Sequence, residues 1–274
     1  MAIDSWNHAA LTVETAAPEG ATNCYRLGDD RALVVDPAAR GDDLTTLLDG
    51  ADVGHVAVTH HHPDHVGAVA DVARETGATV WARAGREAAF ERATGVTPDR
   101  TFREGTRIET GDGPVTVLDL PGHAPEHVGF SFQSDAGELV VSGDLAVAEG
   151  SVVVGAPEGD VRSYVSSLRR VHARNPARLL PGHGPVIHDP RATARRLVDH
   201  RRRREAKVRW AVDEGAETVP EVTDAAYEKD VSAVRRLAEA TVLAHLEKLA
   251  VEGRIRWDGE CARASGHART VESA

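Results

Sequence analysis

The 274 residues, 41% hydrophobic but only 4% aromatic, suffice for one large domain or a medium domain with a small appendage, its core filled mainly by Val, Leu and Ala. A formal net charge of -11 repels nucleic acid at long range and confines any RNA-binding role to a local basic patch. Two cysteines at opposite ends, Cys24 and Cys261, no charged-then-apolar leader and no apolar run of about 18 residues predict a cytoplasmic protein with neither disulfide framework nor membrane span.

Taken in chain order, Ala21–Leu27 and Ala32–Asp36 read as strands joined by a turn at Gly28-Asp29-Asp30. A short helix is expected over Asp42–Leu48 and a buried strand over His55–Thr59. Val66–Thr76 has helical spacing and stops at Gly77. Ala78–Ala82 returns to strand, and a helix follows through Gly85–Ala93. From Arg107 the pattern is β, over Arg107–Glu109, Val115–Leu120, Val128–Phe132 and Glu138–Ser142. Val161–Ala173 is helical, and Arg178–Leu180 is a short strand running into Pro181-Gly182. Strands followed by helices, twice over, predict two sheets packed face to face with helices outside.

After Pro190 the composition changes. Arg191–Val212 reads as a long arginine-rich helix, a second helical piece begins at Thr218, and Arg235–Val251 is an amphipathic helix ending at Gly253. A strand at Arg254–Trp257 then turns at Asp258-Gly259. Helix, helix, helix and β-hairpin is the layout of a small winged-helix module. The domains expected are 1–190, catalytic; 191–263, winged-helix-like; and 264–274, a disordered tail.

The strongest chemical signal is Thr59-His60-His61-His62-Pro63-Asp64-His65, where a buried strand gives way to a helix. Ligands spaced His-x-His-x-Asp-His cannot all point one way on a helix or strand, but they converge on a tight loop. Imidazole suits zinc, iron or manganese, and the adjacent carboxylate adds charge for a second cation. Three other apolar segments break at glycine and deliver one such side chain at the strand end: Leu120-Pro121-Gly122-His123, Val140-Val141-Ser142-Gly143-Asp144 and Leu179-Leu180-Pro181-Gly182-His183. Any one of them alone is an ordinary turn; together with the loop they describe a metal site at a sheet edge.

Over residues 20–190 these motifs resemble the metallo-β-lactamase superfamily. The resemblance implies an α/β fold, an αββα sandwich, with His60, His62 and His123 on a first metal, Asp64, His65 and His183 on a second, and Asp144 bridging them. It also implies that Asp36, in Leu33-Val34-Val35-Asp36-Pro37, supports the ligand loop from behind. Two divalent ions, zinc first with iron or manganese as alternatives, would share a water and generate a dinuclear metal-bound hydroxide, with Asp64 and Asp144 as catalytic residues. Cys24 reads as core rather than nucleophile.

Within the superfamily, the bridging Asp144 argues against antibiotic hydrolysis, and His62 stands where the flavin-linked oxygen reductases carry glutamate. Glyoxalase II-like thioesterases and several RNA-processing nucleases share the ligand set, and the persulfide dioxygenases share the loop on a single iron. His245-Leu246-Glu247-Lys248-Leu249 followed by Gly253-Arg254-Ile255 resembles the C-terminal winged helix of a branch that includes a single-strand endoribonuclease and acyl-thioester hydrolases. Hydrolysis of a small thioester or ester is therefore expected, with RNA cleavage second and persulfide oxidation third. His200-Arg201-Arg202-Arg203-Arg204 is the one local basic run; it reads first as a solvated helix face balancing nearby acids, and alternatively as the place where RNA or an anionic carrier such as coenzyme A or glutathione would be held. His127 is expected to make a structural hydrogen bond, and His61, His55 and His188 to be exposed or structural.

Overall fold

In the computed structural model, which describes residues 2–265, neighbouring strand residues point alternately into different cores, and this alternation sets the layers. The first half comprises β1 (Trp6–Thr12), β2 (Ala21–Leu27), β3 (Ala32–Val35), α1 (Asp42–Leu48), β4 (Val53–Ala57), α2 (Pro63–Val66), α3 (Val69–Thr76), β5 (Thr79–Arg83), α4 (Glu87–Thr94) and β6 (Arg100–Phe102). The second comprises β7 (Arg107–Glu109), β8 (Pro114–Asp119), β9 (Val128–Ser134), β10 (Gly137–Gly143), α5 (Val161–Arg174) and β11 (Arg178–Pro181). Strands β1 to β6 form one sheet in sequence order, and the other runs β11-β10-β9-β8-β7. Leu33 and Val35 face the core between the sheets with Tyr25, Phe130 and Val141, whereas Val34 faces α1 and α3 with Val56 and Leu47. Likewise Val140 and Leu179 pack outward against Leu168 of α5. The result is an αββα sandwich.

Beyond it lie α6 (Pro190–Asp213), α7 (Val219–Ala226), α8 (Arg235–Val251) and the hairpin of β12 (Ile255–Trp257) and β13 (Ala262–Ala264). Helix α6 is shared between two cores. Ala194, Leu197 and Val198 pack with α5, while Val208, Ala211 and Val212 pack with α7, α8 and the hairpin. The expected boundary after residue 190 thus falls where a helix common to both parts begins. Of the expected disordered tail, 266–274 lies outside the described residues.

Several expectations need correction. Strands β1 and β6 are extra: β1 is a largely exposed edge strand paired antiparallel with β2, and β6 has only three residues, so neither carries a readable apolar alternation. The helix expected over 66–76 is broken into α2 and α3 near Gly67, where a Cβ would lie 2.3 Å from the Ala38 carbonyl oxygen. Helix α8 is not amphipathic in the ordinary sense. It buries Ala238, Val242, Ala244, His245 and Leu246 on several sides because α5, α6, α7 and β12 all flank it.

His245 is fully buried in α8 with neither ring nitrogen hydrogen-bonded. Burial, with Arg201 nearby, lowers its pKa to about 3. A base whose folded pKa lies below its unfolded value destabilises the fold as pH drops below the unfolded pKa of about 6.5. Between pH 7 and pH 5 this residue should cost about 2 kcal/mol. His245→Leu is expected to raise the urea midpoint at pH 7 and to lessen its fall at pH 5. Equal acid sensitivity in the two proteins would show that His245 is not held neutral.

Candidate metal centre

The predicted ligands lie past the ends of strands, with Asp36 behind them. Asp36 follows β3, His60 and His62 follow β4 with Asp64 and His65 in α2 just after, His123 follows β8, Asp144 follows β10 and His183 follows β11. Strands that end together on one edge bring their next residues into one crevice. Close approach there requires glycine. At Gly143, φ is +46° and a Cβ would lie 2.6 Å from Thr59 Oγ1. At Gly182 a Cβ would lie 2.5 Å from Asp144 Oδ1. Asp36 itself is a non-glycine at φ +54°, the kind of outlier that clusters at functional sites.

One group consists of His60, His62 and His123. The Nε2 atoms of His60 and His123 each lie 3.0 Å from Nδ1 of His62. Their other nitrogens identify the tautomers. His123 Nδ1 donates to the Val153 carbonyl at 2.8 Å, and His62 Nε2 meets the Glu158 carboxylate at 2.9 Å. Thr59 Oγ1 donates to Asp36 Oδ2, so at 3.0 Å it accepts from His60 Nδ1. These partners leave three lone pairs converging on one point, which is repulsive unless a cation lies among them. Burial lowers the pKa of His60 and His123, which favours the neutral, ligating form.

A second group contains Asp64, His65 and His183. His65 Nδ1 donates to Asp36 Oδ2 at 3.0 Å and His183 Nδ1 to the Ala21 carbonyl at 2.8 Å, so both Nε2 atoms face inward. The Asp144 carboxylate lies between the groups. Its Oδ1 is 3.4 Å from His183 Nε2 and 3.6 Å from His65 Nε2, and its Oδ2 is 3.5 Å from His123 Nε2. His65 Nε2 and Asp144 Oδ1 are buried with no hydrogen-bond partner, a costly arrangement that a bound cation would relieve. Burial alone would lower the His65 pKa, but the carboxylates of Asp144 and Asp36 overbalance it and hold the imidazole at about 9. The same histidines, against the cost of burial, draw Asp144 well below the usual carboxylate range. The residues present fit two cations.

Asp36 supports this loop. Its Oδ1 accepts from the Thr59 backbone N–H at 2.7 Å and its Oδ2 from the Thr59 hydroxyl at 2.8 Å, in addition to His65. His127 is structural and sits against the centre, donating from Nδ1 to the Leu120 carbonyl and accepting from the Asp144 backbone N–H, each at 3.0 Å. Burial lowers its pKa to about 3, consistent with that neutral ring. His61 pairs with Glu126, His55 with Trp81 and the Glu109 carbonyl, and His188 is exposed. Cys24 is buried, and burial pushes its thiol pKa up. Two contributors were not foreseen. Glu158 orients His62, and Thr15 donates its hydroxyl to Asp64 Oδ2 at 2.6 Å.

Above the cluster opens a cavity of about 870 Å³, with Asp64, Asp144 and His183 among the residues lining it. Its apolar wall includes Val147, Ala148, Val152 and Val153 from the loop after β10, and Leu237 from α8.

The basic run does not form the continuous patch that RNA binding would need. Arg201 is 3% exposed, donating to the Val152 carbonyl and lying over the Tyr164 ring. Arg204 stacks 3.6 Å from the Tyr227 ring centroid and donates to the Ala226 carbonyl. Only Arg202 and Arg203 point to solvent, and Arg202 lies beside Asp199. A helix spreads consecutive residues around its axis, so a run in sequence is not a patch in space.

Residues 17–183 match a family model described as the metallo-beta-lactamase superfamily, and residues 218–263 match one described as the beta-lactamase associated winged helix domain. A hydroxyacylglutathione hydrolase of Methylococcus capsulatus is 35% identical over 147 residues, which are 53% of this chain and 54% of that protein, so the match spans about half of each. The crystal structure of metallo-beta-lactamase family protein TTHA1429 from Thermus thermophilus superposes with a TM-score of 0.76 over 94% of this chain and 98% of that one, at 23% identity. TTHA1623, solved in a di-iron-bound form, is 29% identical with a TM-score of 0.51, over 65% of this chain and 93% of that one.

Proposed function

The chain belongs to the metallo-beta-lactamase superfamily as a metallo-hydrolase, and from that premise we propose that it hydrolyses a small thioester or ester at a two-cation centre. In this reading His60, His62 and His123 hold one cation, Asp64, His65 and His183 the other, and Asp144 bridges them. The division of the Asp144 oxygens between the two groups supports the bridge. The di-iron form of TTHA1623 supports a pair of metals rather than one, with zinc proposed here and iron or manganese as alternatives. When bound, such cations supply Lewis acidity to a carbonyl oxygen and acidify a water molecule. The protein's own part is orientation. Thr15 holds Asp64 to accept a proton at the cavity floor, and His127 and Asp36 hold Asp144 and His65 in place.

The substrate class rests on one observation, the apolar wall of Val147, Val152, Val153 and Leu237 facing the ligand cluster. That wall suits the hydrocarbon part of an acyl group. The hydroxyacylglutathione hydrolase relative lends support to thioester chemistry. RNA cleavage loses its main support with the dispersal of Arg201–Arg204. Metal-loaded protein should hydrolyse acyl thioesters of N-acetylcysteamine, with kcat/KM rising a few-fold per added methylene, since each buried CH2 is worth about 0.8 kcal/mol. A flat dependence on acyl length, or cleavage of single-stranded RNA without thioester hydrolysis, overturns the reading.

A further inference from the structure

Resting on that reading, we propose that the site selects acyl carriers that are uncharged or cationic and discriminates against polyanionic ones. The ground is the charge of the cavity. Its lining contains no arginine or lysine. It does contain Glu14 and Glu19, from the loop between β1 and β2, and Glu149, from the loop after β10. All three are exposed, and none has a cationic partner among the described residues. They lie on two separate loops that border the same opening. Asp64 and Asp144 at the floor offset only half of the charge of two bound divalent cations, so the discrimination comes from the glutamates at the rim.

Of the positive groups nearby, Arg235 is paired with acids and Arg236 lies off the wall, while Arg196 keeps its charge but has its guanidinium committed to backbone carbonyls. Arg196, beneath the loop after β10, donates to the carbonyls of Val147 and Ala148 at 2.7 and 3.1 Å and also to that of Gly150. Arg235 of α8 is held by Asp224 and Glu239. Arg236, next to Leu237, is exposed but does not line the cavity. A carrier must remain in or beside the opening while its acyl group lies along the apolar wall. A phosphorylated or carboxylate-rich carrier would therefore place like charges beside the three glutamates. Fields of this kind act on encounter and on residence, and salt screens them over about 10 Å.

The test holds the acyl group constant and varies the carrier. Hexanoyl thioesters of thiocholine, N-acetylcysteamine, glutathione and coenzyme A present a cation, a neutral group, an anion and a polyanion. With the metal-loaded full-length chain at low ionic strength, kcat/KM should fall in that order, with the coenzyme A thioester at least about ten-fold below the N-acetylcysteamine thioester. Added salt should narrow the gap. Glu14→Gln, Glu19→Gln and Glu149→Gln together should raise the coenzyme A to N-acetylcysteamine ratio several-fold at low salt. Calorimetry with the corresponding hexyl thioethers should give the same order of affinity in the wild type and a narrower spread in the triple variant, which separates carrier binding from turnover. Coenzyme A thioesters hydrolysed as well as or better than neutral ones, with no effect of the triple substitution, overturn the charge selection and leave the thioesterase reading intact. Failure to hydrolyse any of the four overturns that reading, and the selection with it.

Discussion

Asp144→Ala is expected to take the protein from two bound metal ions to one and to lower turnover by more than about 10²-fold, a loss that even an outer partner of a metal ligand can cause. The reason lies in where the two carboxylate oxygens point. Oδ1 faces His183 and His65, and Oδ2 faces His123, so one side chain neutralises both nitrogen groups. Its removal takes away the one carboxylate shared by both groups, so that mainly neutral imidazoles are left to offset the charge of two cations. The group of His60, His62 and His123 keeps its orienting partners Thr59, Glu158 and Val153, so one cation should remain. Elemental analysis of dialysed protein reads the stoichiometry, and circular dichroism checks that the fold is kept. Two tightly held ions in a folded Asp144→Ala protein would exclude the bridge.

The layered fold and the seven converging side chains were legible because their signals are local. A buried β-run ending in glycine, followed by His or Asp, records a strand end and the residue delivered there. Repeating that signal at Gly122, Gly143 and Gly182 around one histidine loop left little freedom in how the pieces meet. What was not legible depends on contacts far apart in sequence. Glu158 reaches His62 across 96 residues, and nothing near either residue marks the other as its partner. Leu237 enters the cavity wall only because α6 and α8 pack beside α5, and a short exposed edge such as β1 has no hydrophobic alternation to read. The arginine run was visible as charge. Which arginines the fold would consume was not, since that depends on Tyr164, Val152 and Tyr227 arriving from other elements.

Asp36→Asn, which changes almost no volume, should weaken the Asp64, His65 and His183 side of the centre selectively. Asp36 accepts three hydrogen bonds while fully buried, from the Thr59 backbone, the Thr59 hydroxyl and His65 Nδ1. An asparagine can place its carbonyl oxygen where only one carboxylate oxygen was. With that oxygen towards the Thr59 N–H, the amide NH2 faces the Thr59 hydroxyl and His65 Nδ1. The hydroxyl can rotate to accept. His65 can accept only by moving its proton to Nε2, the nitrogen that should hold the metal. With the amide turned the other way, two N–H groups oppose each other in a buried site, at a cost of about 1–3 kcal/mol. Either arrangement should cost about 10- to 100-fold in affinity for the second ion. His60, His62 and His123 do not touch Asp36 directly, so the first ion should be held nearly as in the wild type. Titration with zinc against a competing chelator should resolve one strong and one weakened site, and the tautomer of His65 can be read from its ring nitrogen shifts in the metal-free protein above its pKa of about 9, where the ring is neutral. Two sites of wild-type strength, or equal weakening of both, would show that Asp36 does not act through the tautomer of His65.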